Sequence, residues 1–184
     1  MAARAVEVGA QTAAAEAALQ SGMAVATLWP HRPARFTTFA LPPWSVAVIT
    51  PDHPAAAAEP TAFLGRTLIG KAAATFAARA VATTEALREG DLELLQFALD
   101  DSALNDLLGA ALPGLQPALL AARSAGLPAG LTRFRGRLSI VALHPEPATV
   151  AAAAEAAADR FAAHALSCEV TLTRFARCQP EPQP

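Results

Sequence analysis

The segment Trp44-Ser-Val-Ala-Val-Ile-Thr50 constrains the fold most, because proline closes it on both sides. Pro42-Pro43 precede it, and Pro51-Asp52-His53-Pro54 follow. Proline has no backbone donor and a fixed φ, so neither flank continues a helix or a sheet interior. Between the flanks, Val46, Val48, Ile49 and Thr50 are β-branched and favour pleated backbone. The spacing predicts a strand over 44–50. One strand is not a structure, so the rest of the chain must supply its neighbours and the layer that covers it.

The sequence on either side supplies them in a definite order. Before the strand, residues 3–19 read as an alanine-rich helix stopped by Ser21-Gly22. A short apolar strand over 23–29 follows, broken at His31-Arg32-Pro33, with 35–40 as its hairpin partner. After the strand, the period becomes helical. A short helix is expected over 61–70 and a long one over 71–88, closed by Gly90. Asp91 reads as the N-cap of a helix over 91–104, with Leu92, Leu95 and Leu99 on one face. Pro113-Gly114 is a break, and a third helix spans 115–124, stopped by Gly126. Strands over 131–134 and 138–143, joined at Arg135-Gly136-Arg137, form a hairpin. A helix with proline near its start covers 147–164, a last strand covers 169–175, and the proline-rich 179–184 reads as a disordered tail.

Taken from Trp44, this is an α+β fold. It is a ferredoxin-like βαββαβ sandwich with extra helices in the first crossover. Three regions are expected: 1–43 as a helix plus short strands, 44–176 as the main domain, and 177–184 as the tail. The order says nothing about function, since this sandwich carries many functions.

Composition excludes several classes. Apolar residues are 53% of the 184 and charged residues 16%, which is globular; much of the apolar share is alanine, which fills little core volume. Net charge is −2, there is no tyrosine, and the basic residues form no block, so no nucleic-acid partner is expected. No apolar run reaches membrane-spanning length, and the N-terminus makes a poor signal peptide, so the expected location is cytoplasmic. Cys168 and Cys178 lack CxxC spacing; a disulfide stays open beside the simpler reading of two separate thiols. His31, His53, His144 and His164 have no ligand spacing, so no metal site is expected. Asp100 and Asp101 are neighbours on a helix and point about 100° apart, so they do not share a site.

Several stretches carry a family resemblance. Val46-Ala-Val-Ile-Thr-Pro-Asp52 resembles the VVVVTPD strand and turn of homoserine kinases, members of the GHMP small-molecule kinases. The segment from Arg79 through Gly90-Asp91 to Leu95 is similar to a helix pair of that family. Asp101 and Leu112-Pro113-Gly114 keep the spacing of its D…LIPG pattern, and Ser139-Ile-Val-Ala-Leu143 resembles its SVFAL strand. The resemblance runs from Trp44 to Phe175 and implies the C-terminal domain of such a kinase, with 1–43 as a remnant of the N-terminal domain's edge.

The family moves the γ-phosphate of ATP, with magnesium, to the hydroxyl of homoserine in threonine biosynthesis. Its GLGSSAA phosphate loop has no counterpart in this sequence. An Asp-Asn pair of the family falls on Ala13-Ala14, and the His and Arg of its HQPYR substrate motif fall on Leu104 and Leu108. The SGAGPS motif falls on Phe134-Arg-Gly-Arg-Leu-Ser139, where Gly136 is one place out of register and arginines replace backbone-exposing glycines.

The resemblance therefore implies a homoserine-kinase-like chain that is catalytically incomplete. No catalytic residue and no cofactor are expected for this chain alone. The alternative is a non-catalytic ferredoxin-like module that binds a small molecule or itself. Arg79 and Asp101 are the retained substrate-binding candidates, with Arg79 also readable as a solvated helix arginine. Arg133, Arg135, Gly136, Arg137 and Ser139 form a candidate anion-binding turn, with a solvated hairpin tip as the plain alternative. Expected partners are a second copy of the chain or a separate ATP-binding polypeptide.

Overall fold

A computed structural model of the chain describes residues 23–29, 32–57, 71–100 and 112–175. The chain divides into two compact units, Met1–Pro43 with Phe175–Pro184, and Trp44–Arg174. In the first, β1 (Met23–Trp29) and β2 (Arg32–Phe39) pair antiparallel, from Met23 opposite Phe39 to Trp29 opposite Arg32, with a register shift between Thr27 and Trp29. The helices expected over 3–19 and 61–70, positions 101–104 and the tail all lie outside the described residues.

The second unit is an antiparallel sheet of β3 (Ser45–Pro51), β4 (Ala129–Phe134), β5 (Arg137–His144) and β6 (Cys168–Arg174), in the order β4-β5-β3-β6. Its helices are α1 (Lys71–Glu89), α2 (Leu92–Leu99), α3 (Leu115–Ser124) and α4 (Pro147–Ala163). The first described and last connections are β3 through α1, α2 and α3 to β4, and β5 through α4 to β6. That is the ferredoxin-like βαββαβ order, with the additional helices in the first crossover.

β3 is flanked by β5 and β6, and all seven of its residues are buried. A strand covered on both faces needs apolar residues without alternation, which is what Val46–Ile49 at its centre carries. One face, through Ala47 and Ile49, joins Ile140 and Ala142 of β5 in the main core. Val150, Ala153, Ala154, Ala157 and Phe161 of α4 and Leu115, Ala118, Leu119 and Ala122 of α3 complete that core. The alanines of α4 fall at helical spacing on its buried face. They let the helix lie close to the sheet, while Phe161, Leu115 and Leu119 fill the volume that alanine leaves. On the other face of the sheet, a Cβ added at Gly130 would stand 3.0 Å from the side chain of Leu99, so glycine lets the end of α2 approach β4.

Local chemistry sets the breaks. Gly90 has φ +73°, and Asp91 N donates to Ala86 O at 2.9 Å, a Schellman end to α1. The same Asp91 opens α2, its carboxylate accepting from Leu94 N at 2.9 Å. Gly114, at φ +75°, precedes α3, and a Cβ there would come within 2.9 Å of the His164 ring. The β4–β5 turn is two residues, Arg135 (φ +49°) and Gly136 (φ +76°), rather than the three expected, and Arg137 is the first residue of β5. Two consecutive positive-φ residues match the twist of an antiparallel pair better than a longer loop. The helix expected over 91–104 ends at Leu99 among the described residues, with Asp100 as its C-cap.

Candidate functional site

The hairpin motif and the VITPD turn meet at one end of the sheet. Thr50 of β3 pairs with Glu169 of β6 on one side, and on the other it follows the last β3–β5 pair, Ile49 opposite Ile140, which brings it next to Ser139 of β5. The Thr50 and Ser139 hydroxyls are buried and 2.8 Å apart. Ser139 Oγ also donates to Arg137 O at 3.2 Å, so Thr50 supplies the proton between the two hydroxyls. Among the described residues no histidine or carboxylate is hydrogen-bonded to this pair, and both hydroxyls are buried. They tie two strands and are not exposed nucleophiles.

The arginines of the turn are distributed over both faces and engaged with protein groups. Arg137 lies on the same face as Ser139. Its Nη2 donates to Pro51 O at 2.7 Å and to Asp52 Oδ1 at 3.0 Å. Pro51 ends β3 and Asp52 follows it, so Arg137 fixes the exit of that strand. Arg133 lies on the opposite face, and its Nε donates to Gly136 O at 3.1 Å across the turn. Arg135 stands 5.0 Å from the Phe134 ring and 3.5 Å from Glu169 Oε1, an exposed pair that salt screens. Arg137, Ser139 and the turn glycine are thus close in sequence and space, but the three guanidinium groups do not converge on one point.

Arg79 belongs to a second cluster, at the C-terminus of α2. The last carbonyls of a helix have no partner within it and carry partial negative charge. Arg79 Nη1 donates to Phe97 O (3.4 Å), to Ala98 O (3.3 Å) and to Asp100 O, and its guanidinium stands 5.8 Å from the Phe97 ring. Arg123, on α3, approaches the same helix end. Its Nη2 donates to Leu99 O (2.7 Å), its Nη1 to Asp100 Oδ1 (2.7 Å) and its Nε to Ala129 O (2.9 Å). Two arginines from two helices therefore hold α2 against α1, α3 and the start of β4. The sequence reading missed Arg123; the signal would have been a basic residue late in one helix of a crossover whose preceding helix ends on an acidic C-cap. Asp101 lies outside the described residues.

Neither of the following grooves among the described residues collects the sequence candidates. A groove of about 680 Å³ lies between α3 and α4, along Pro117, Leu120, Ser124, Asp159 and Arg160. A smaller one of about 280 Å³ is lined by Glu93, Gln96, Phe97, Asp100 and Arg123. No group of three or more His, Cys, Asp or Glu side chains that could hold a metal ion occurs among the described residues. Among those residues no helix is long and apolar enough to cross a membrane.

No family model matches the chain, and no curated protein matches it. Among solved structures, homoserine kinase from Cytophaga hutchinsonii is similar in fold, with a TM-score of 0.68 and 16% identity over 84% of this chain and 49% of that one. Phosphomevalonate kinase from Streptococcus pneumoniae aligns at a TM-score of 0.41 and 14% identity, over 78% of this chain and 45% of that one. The chain spans about half the length of these structures. The α+β sandwich of this chain has a GHMP-kinase-like fold, consistent with the C-terminal domain of such a kinase.

Proposed function

We propose that this chain is a homoserine-kinase-like protein whose 184 residues do not themselves carry phosphoryl transfer, and that its family-related arginines now serve the fold. One observation supports this above the others. Arg79, the arginine retained from the family's substrate-facing pattern, donates to the carbonyls that end α2. The turn that replaces the third motif repeats the theme, since Arg137 binds Pro51 O and Asp52. A phosphate needs converging donors, and a glycine-rich turn supplies them from backbone; here arginine side chains fill that turn and bond within the chain. Residues 1–43 correspond, in this reading, to the edge of the family's N-terminal domain, and the protein is cytoplasmic.

Isothermal calorimetry with ATP-Mg and with homoserine, each titrated separately into the chain, tests the proposal. It expects no heat from either ligand. Saturable homoserine binding that disappears in Arg79→Ala, with the thermal midpoint unchanged, would overturn it, because the guanidinium would then serve substrate and not α2.

A further inference from the structure

The outer edge of β6 is complementary to itself. Among the described residues no strand pairs with it on the side away from β3. It carries two of the chain's exposed large apolar side chains, Val170 (40% exposed) and Leu172 (57% exposed). Register puts Val170 beside Ile49 and Leu172 beside Ala47, so both project on the helix-bearing face, at its rim. β6 has neither proline nor lysine, the residues that commonly protect an open edge.

The direction of its backbone groups follows from the ladder. Asp52 N donates to Ser167 O at 2.8 Å, just beyond the last pair, Pro51 opposite Cys168. Hydrogen-bonded and non-hydrogen-bonded pairs alternate along an antiparallel ladder. Glu169, Thr171 and Thr173 therefore turn their N–H and C=O toward β3. Val170 and Leu172 turn theirs outward. Pro51, which has no N–H, sits at a non-hydrogen-bonded position, as this phase requires.

We propose that β6 pairs antiparallel with β6 of a second copy of this chain, on a two-fold axis at Thr171, giving one continuous sheet. This register pairs all seven residues of the strand, whereas a shift of two in either direction loses pairs, and one of the two shifts sets Val170 against Arg174. In the centred register, Val170 and Leu172 exchange backbone hydrogen bonds with Leu172 and Val170 of the second copy. Their four side chains gather into one apolar cluster on the helix-bearing face. Thr171 faces its own copy as a non-hydrogen-bonded pair. Glu169 faces Thr173, and Cys168 faces Arg174, so no like charges stand opposite. The interface goes beyond the proposed loss of catalysis and does not depend on it.

Disulfide trapping tests the register. In a chain with Cys168→Ala and Cys178→Ser, Thr171→Cys is expected to form a covalent dimer under mild oxidation. Glu169→Cys alone is expected not to, but Glu169→Cys mixed with Thr173→Cys should give the cross-linked heterodimer. The unmodified chain should sediment at twice its monomer mass at high micromolar concentration, and Leu172→Lys should return it to one. A monomeric mass for the unmodified chain overturns the proposal. So does a dimer that Leu172→Lys leaves intact, which would place the contact elsewhere. Equal trapping at 169 and 171 would overturn the register.

Discussion

Replacing Arg123 by alanine should unsettle the Trp44–Arg174 unit more than any other single change to an arginine. The guanidinium makes three hydrogen bonds, to Leu99 O, Ala129 O and Asp100 Oδ1, and the side chain is only 15% exposed. Hydrogen bonds from a charged donor contribute roughly 1.5–3 kcal/mol each, less where water can replace them. Asp100 is 65% exposed, so its share is that of a surface pair, about 1 kcal/mol or less. The two carbonyl bonds carry the rest. Arg123→Ala should therefore destabilise the unit by about 3 kcal/mol, near 10 °C in thermal midpoint for a domain of this size. Asp100→Asn, which removes only the ion pair, should shift the midpoint by a small fraction of that. Arg123→Lys cannot reach three acceptors in one plane and should recover less than half of the loss. Calorimetry on the three variants separates the contributions. An Arg123→Ala shift no larger than that of Asp100→Asn would refute the assignment of the stabilisation to the α2 and β4 carbonyls.

Other expectations follow from single contacts. Gly114→Ala should destabilise by about 2–3 kcal/mol, because positive φ is joined by a clash with His164, whereas Gly136→Ala, with open space around it, should lose only about 1 kcal/mol; denaturant titration compares them. Ser139→Ala should lose about 1–2 kcal/mol by stranding Thr50, and adding Thr50→Val should recover part of this, a non-additivity that a double-mutant cycle measures. Burial pushes the Cys168 thiol above the ordinary thiol range, so its alkylation at neutral pH should be slower than that of a free thiol and should accelerate as pH rises beyond that range. The sign for stability is the same: the contribution is complete below the unfolded thiol's pKa and is lost as pH climbs through the higher folded value.

The sequence carried the order of elements because its punctuation is strong. Prolines bracket β3, glycines with positive φ end α1 and open α3, and Asp91 caps α2. The hairpin was legible, but its turn was read one residue too long. Arg135 adopts a left-handed conformation that sequence patterns assign to glycine or asparagine, so Arg137 looked like part of the turn. Partners separated in sequence were not legible. Nothing local marks that Arg79 and Arg123, 44 positions apart, reach the same helix end. Nor does spacing show that Arg133 and Arg137 face opposite sides of the sheet until the register of β4 and β5 is known. Val170 and Leu172 fall in the expected last strand over 169–175, and their exposure gains meaning only from β6 being a sheet edge among the described residues.

Phosphoryl transfer itself tests the central claim. The purified chain, incubated with homoserine, magnesium and ATP labelled in the γ-phosphate, should produce no labelled phosphohomoserine above the no-protein control. Label transfer that rises in proportion to the amount of chain added would contradict the account.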